Sequence, residues 1–129
     1  MLVQHVAKPR IVQFALFVDP AFIPEILWQE PITARVLYAF ITVHAAFNGD
    51  DVIDVAIGPS GAEWFSQTFM GPDITEPGRY EVEKTPNYTG LYNGEEWRIG
   101  AVYVPGVAGA VISSVIVGFK IIPIGALEG

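Results

Sequence analysis

The stretch Leu37-Tyr38-Ala39-Phe40-Ile41-Thr42-Val43-His44-Ala45-Ala46-Phe47-Asn48-Gly49 decides how the chain is read. Its odd positions Leu37, Ala39, Ile41, Val43, Ala45 and Phe47 are all apolar, while its later even positions include Thr42 and His44. Alternation with period two predicts a strand with one face on a core. Asn48-Gly49 readily takes the positive φ angles of a tight turn. The chain then resumes with Ile53, Val55 and Ile57 against Asp54 and Ala56, which reads as the return strand of a hairpin.

The same rhythm extends outward. Ile11 to Val18 places Val12, Phe14, Leu16 and Val18 on one side, and Arg79 to Lys84 sets Tyr80 and Val82 against Glu81 and Glu83. Asn93-Gly94 is a second hairpin signal, leading into Trp97, Ile99, Ala101 and Tyr103. In the last strand, Ser114 to Ile122, Val115, Val117, Phe119 and Ile121 face one way and Lys120 the other. Pro59, Gly61, Gly71, Pro72, Pro77 and Gly78 confine the middle of the chain to short elements, and Glu63 to Phe69 fits a strand or a single helical turn. Seven or eight short strands without an amphipathic helix predict an all-β protein, a single antiparallel β-sandwich or barrel spanning residues 1–129. Residues 1–31 would hold an N-terminal strand and an extended Pro-rich arm, and residues 32–129 the sandwich body. Pro20, Pro24 and Pro31 forbid a long helix and a central strand there, leaving an extended arm or an edge that displays Phe22, Ile23, Ile26, Leu27 and Trp28. An extended segment so apolar is expected to lie against the domain or a neighbour.

Composition narrows the function. The 129 residues hold no cysteine, which removes thiolate chemistry and disulfides and favours a reducing compartment. A net charge of -7 with no Lys/Arg cluster argues against nucleic acid. The uncharged run from Ile99 to Phe119 is long enough to cross a bilayer, but Pro105, four glycines and many β-branched residues predict two strands and a turn, so no membrane is expected. Hydrophobic residues make up 51 % of the chain and charged ones only 16 %, more apolar surface than one small core uses. That surplus points to an interface.

Catalytic groups are sparse. His5 and His44 are the two imidazoles, and neither accompanies a nucleophile motif. Asp50, Asp51 and Asp54 cluster after a turn but lack the spacing of a calcium loop. Glu95 and Glu96, adjacent on an extended segment, point to opposite faces and cannot flank one sugar bond. Trp28, Trp64, Trp97 and the tyrosines could furnish a sugar-stacking platform, making a carbohydrate-binding module the alternative, but filling a core or interface is the favoured reading. The expectation is a non-enzyme with no catalytic residues, cofactor or metal.

Val36, Tyr38 and Phe40 add apolar even positions to a strand whose odd positions are already apolar, and Ile116 and Ile122 do the same at the end of the chain. An antiparallel sandwich normally leaves one face polar. The cover of that second face is expected to be the N-terminal arm or another subunit, so self-association through Val36, Tyr38 and Phe40 is expected, with Phe22, Ile26, Leu27 and Trp28 as the arm's interface residues.

Ile41-Thr42-Val43-His44-Ala45-Ala46-Phe47-Asn48-Gly49, Asp54-Val55-Ala56-Ile57-Gly58, the Pro-Gly-Arg-Tyr turn at Pro77 to Tyr80, and Ser114-Val115-Ile116-Val117-Gly118-Phe119-Lys120-Ile121 together resemble the jelly-roll capsid decoration, or cement, proteins of tailed bacteriophages and their relatives in tails and fibres. The resemblance is one of rhythm and spans about Ile41 to Ile122. It implies a jelly-roll-like sandwich bound to the outer surface of a capsid, often as a trimer, with the major capsid protein as partner and assembly in the host cytoplasm. It supplies no catalytic residues.

Overall fold

The pairing of strands is nested, outermost with outermost. The computed structural model describes residues 8–17, 25–44, 51–70, 73–74, 76–104 and 114–124. Among them run β1 (Arg10–Phe17), β2 (Glu25–Trp28), β3 (Ala34–Val43), β4 (Val52–Gly58), β5 (Phe65–Met70), β6 (Gly78–Val82), β7 (Leu91–Tyr92), β8 (Trp97–Val104) and β9 (Ser114–Pro123). β1 pairs with β9, β2 with β8, β3 with β6 and β4 with β5, all antiparallel. The chain is thus one long hairpin folded over on itself. Wrapping it gives a sheet in the order β1-β9-β3-β6, with β7 also on β3, and a second in the order β2-β8-β4-β5. Two such sheets built from nested hairpins are a jelly roll, the β-sandwich the sequence predicts.

Alternation fixes which residues face inward. Val115, Val117, Phe119 and Ile121 of β9 meet Ile53, Val55 and Ile57 of β4 and Ile99 and Ala101 of β8 in one core, all at most 1 % exposed. Trp97 sits at its centre, with ring centroids 5.0 Å from Trp64, 5.2 Å from Phe119, 5.5 Å from Tyr92 and 5.8 Å from Trp28. Edge-on packing of this kind adds to the burial of large aromatic area. Within segment 63–69, residues 65–69 resolve as strand, their burial alternating with period two from Phe65 to Phe69.

Three expectations are corrected. β3 and β4 lie in different sheets, so the Asn48-Gly49 connection does not close a hairpin between them; the edges of β3 are occupied by β9 and β6, leaving β4 to pair with β5 and β8. Asn48 and Gly49 themselves lie outside the described residues, as does Val18. β7 and β8 are likewise in different sheets, although Gly94 does turn with φ 86°. Of the two readings of the Pro-rich segment, an extended arm or an edge, Glu25–Trp28 takes the second, since β2 is an edge strand paired with β8. Finally, Val36 faces the core: β3 carries a bulge at Leu37, the register stepping from Val36↔Ile121 to Tyr38↔Lys120. One extra residue flips the parity, so Ala34 and Val36 point inward before it and Ala39, Ile41 and Val43 after it. The bulge falls between the stretches of β3 paired with β7 and β6, where Val36 N donates to Gly90 O (2.9 Å) and the Tyr88 hydroxyl donates to Val36 O (2.6 Å).

Candidate functional site

The surfaces of the two sheets and the flanks between them are the candidate sites. On the outer face of the β1-β9-β3-β6 sheet, Gln13, Gly118, Phe40 and Glu81 make one cross-strand row, and Ile11, Lys120 and Tyr38 the next. Phe40 lies across Gly118, where a Cβ would come within 2.8 Å of the ring and 2.6 Å of Val12 O; only glycine lets the ring and β1 approach so closely. The Arg79 guanidinium sits 4.0 Å above the same ring, and the Lys120 ammonium lies 6.0 Å from the Tyr38 ring. Phe40 is consequently 1 % exposed although it is on the outer face. The apolarity that predicted a covering subunit is here covered by the sheet's own side chains.

The middle of the other sheet's outer face is built mostly of small and polar residues. Ala56, Gly100 and Val102 floor a shallow groove of about 210 Å³ rimmed by Glu25, Asp54, Glu63 and Arg98. Arg98 pairs with Glu25 (3.2 Å), and the Thr68 hydroxyl donates to Asp54. The groove holds no aromatic ring and is smaller than the roughly 300 Å³ at which ligand pockets begin. Toward one end of this face, Val104, Val52 and Met70 form a cross-strand row in which Met70 is 48 % and Val104 52 % exposed.

The two flanks of the sandwich differ. On one, the segment after β6 is bonded to the edge of β5: Ser66 N donates to Glu83 O (3.0 Å), Thr85 N to Trp64 O (2.7 Å) and Glu83 N to Gln67 Oε1 (2.9 Å). On the other, β1 and β2 are edge strands, bridged at one end by Glu30. Its carboxylate accepts from Arg10 and from Trp28 Nε1 (3.0 Å), and its backbone N donates to the Tyr92 hydroxyl (3.0 Å). The Arg10 hydrogen bond above all holds the Glu30 carboxyl below its ordinary range; partial burial opposes this and the Trp28 bond reinforces it. Burial, aided by the charges of Glu95 and Glu30, pushes the Tyr92 hydroxyl up against the lowering effect of its bond to the Glu30 backbone.

The expected interface residues are dispersed by this geometry. Trp28 and Val36 are buried in the core of the single chain and cannot act as docking anchors, which corrects their assignment. Phe40 is covered as described, Tyr38 and Ile26 are partly buried, Leu27 is 55 % exposed, and Phe22 lies outside the described residues. Trp28, Trp64, Trp97 and Tyr92 are buried in the core and cannot form a sugar platform. His44 is exposed at the end of β3, Asp51 is buried, Asp54 is on the sheet face, and His5 and Asp50 lie outside the described residues. Among the described residues no three His, Cys, Asp or Glu side chains gather as a metal site, and no helix is long and apolar enough to cross a membrane. Sequence reading missed the Phe40–Gly118–Arg79 stack and the Glu30 junction, because both join residues far apart in the chain. The one available signal was a glycine interrupting an apolar strand at Gly118.

No protein-family model matches the sequence, and no curated protein matches it. Among solved structures, the fold is similar to a chain of the cyanophage Pam1 capsid asymmetric unit, at 13 % identity and a TM-score of 0.55, covering 95 % of this chain and 91 % of that one. A chain of the infectious bursal disease virus VP2 subviral particle aligns at 15 % identity and a TM-score of 0.35, with 96 % of this chain on 35 % of that one, too loosely to support an argument. What this chain shares with the Pam1 capsid chain, end to end, is its β-sandwich fold.

Proposed function

We propose that this chain is a structural virion protein, without catalytic activity, that binds the outer surface of a phage capsid and stabilises contacts between major capsid subunits. The observation that carries the reading is the near full-length correspondence of fold with a chain of the Pam1 capsid asymmetric unit. It is supported by exposed apolar side chains on several elements, Leu27, Met70, Leu91, Val104 and Ile11, spread as in a protein that meets more than one neighbour. Its acidic charge suits the outside of a DNA-filled shell better than the inside. Assembly in the host cytoplasm fits the absence of cysteine. The trimer implied by the resemblance is retained as the stoichiometry on the shell, now without Val36 and Trp28 in its contacts.

The test is co-assembly. Expressed with the major capsid protein of the virus that encodes it, the chain is expected to sediment with shells in saturable amount and to be accessible to antibody on intact particles. A chain that stays in the supernatant, or that only opened particles expose, contradicts the proposal.

A further inference from the structure

Edge strands carry unpaired backbone groups that another strand can use, and folded proteins usually blunt them with charge, proline or short length. Four of the five described edge strands are blunted, β7 by having only two residues. β2 has four residues, starts at Glu25 and is flanked in sequence by Pro24 and Pro31. β6 has five and alternates Arg79 with Glu81 outward. β5 is joined to the segment after β6 by main-chain bonds. β1 is different: it has eight residues, and from Ile11 to Phe17 it carries neither charge nor proline. Among the described residues no strand pairs with its outer edge. Phe14 also stands out, for it faces inward between Val12 and Leu16, which are buried, yet is itself only partly covered.

We propose that β1 is a self-pairing edge: two copies of this chain join antiparallel through β1 across a two-fold axis at Phe14, merging their sheets into one. Antiparallel partners share a face, and a two-fold axis normal to the sheet keeps each face on its own side, so core-facing residues must oppose core-facing ones. Centring on Phe14 sets Phe14 against Phe14 and Val12 against Leu16 on the core face, with Gln13 against Ala15 outside. Each Phe14 then covers the other, and Arg10 meets no second arginine but keeps its bond to Glu30. Centring on Gln13 would set Arg10 against Leu16 beside the core. The occupant is a second copy because β1 is itself the extended, uncharged, alternating partner that its edge requires. This contact is isologous, separate from the heterologous one that closes a trimer, and it does not depend on the virion reading.

Because the chain has no cysteine, a single Phe14→Cys substitution reports the axis directly. Opposed Cβ atoms in an antiparallel pair lie about 4.5–5.5 Å apart, close enough to form a disulfide with small adjustment. Under mild oxidation more than half of Phe14→Cys is expected to run as a covalent dimer that reductant reverses, while Ser66→Cys, exposed on the opposite flank, stays monomeric on the denaturing gel. Should Phe14→Cys fail to fold, the double variant Gln13→Lys, Ala15→Lys decides: both positions are exposed, and opposed lysines are expected to halve the solution mass while unfolding stays cooperative and the melting temperature loses its dependence on protein concentration. Folded Phe14→Cys that cross-links no more than Ser66→Cys overturns the proposal. So does a double variant with the parent's mass.

Discussion

The two flanks of the sandwich solve the same problem differently. Where β5 and the segment after β6 meet, backbone bonds run from one sheet to the other and Phe65 and Val82 are sealed beneath them. Where β1 and β2 meet the solvent, the sheets are linked at one end through the Glu30 side chain, and Phe14 and Ile26 are only partly covered. The closed flank satisfies its edges inside the chain. The open flank leaves edge groups for another chain, and it is there that a small protein with surplus apolar residues can associate without exposing its core.

Substitutions on the two flanks should therefore differ in cost. Phe65→Ala on the closed side is expected to lower stability by about 3–5 kcal/mol, as for a fully buried aromatic. Phe14→Ala should cost closer to 2 kcal/mol in dilute protein, because part of that ring is already in water. Denaturant unfolding checks both, and equal losses would mean that β1 is as enclosed as β5. Gly118→Ala is next, at about 1–3 kcal/mol by the same assay, since the added methyl meets Val12 O and the Phe40 ring. A neutral result would show β1 too loosely held to feel it.

The smallest effect concerns Glu30. Its folded carboxyl titrates below its ordinary value of 4.5, so the stabilisation from its Arg10 and Trp28 bonds is complete above that value and is lost as pH falls through the lower, folded one. Glu30→Gln should cost no more than about 1 kcal/mol at neutral pH and should flatten the fall in melting temperature on acidification. An unchanged acid slope would place the pH response elsewhere.

Period two made the strands legible in the sequence, because burial on one face writes itself into alternate residues, as it does from Val115 to Ile121. Pairing was not legible. Asn48-Gly49 and Asn93-Gly94 are good turn sequences, but a turn does not say whether the chain returns to the same sheet or crosses to the other, and here β3 and β4, like β7 and β8, take different sheets. The bulge at Leu37 was hidden for a related reason: a single added residue changes no composition yet reverses the face of Val36. The interface residues chosen for apolarity alone, Trp28 and Val36, were core residues, because apolar content is the same signal for both. The edge character of β1 needed the strand order before its lack of charge and proline meant anything.

Backbone amide exchange tests the contrast between flanks most directly. In dilute protein the outward-pointing amides of β1 should exchange quickly and become protected as concentration rises and copies pair, while the Ser66 and Thr85 amides stay slow at every concentration. Outward β1 amides protected equally at all concentrations, or a closed flank that exchanges as fast as β1, would contradict the account.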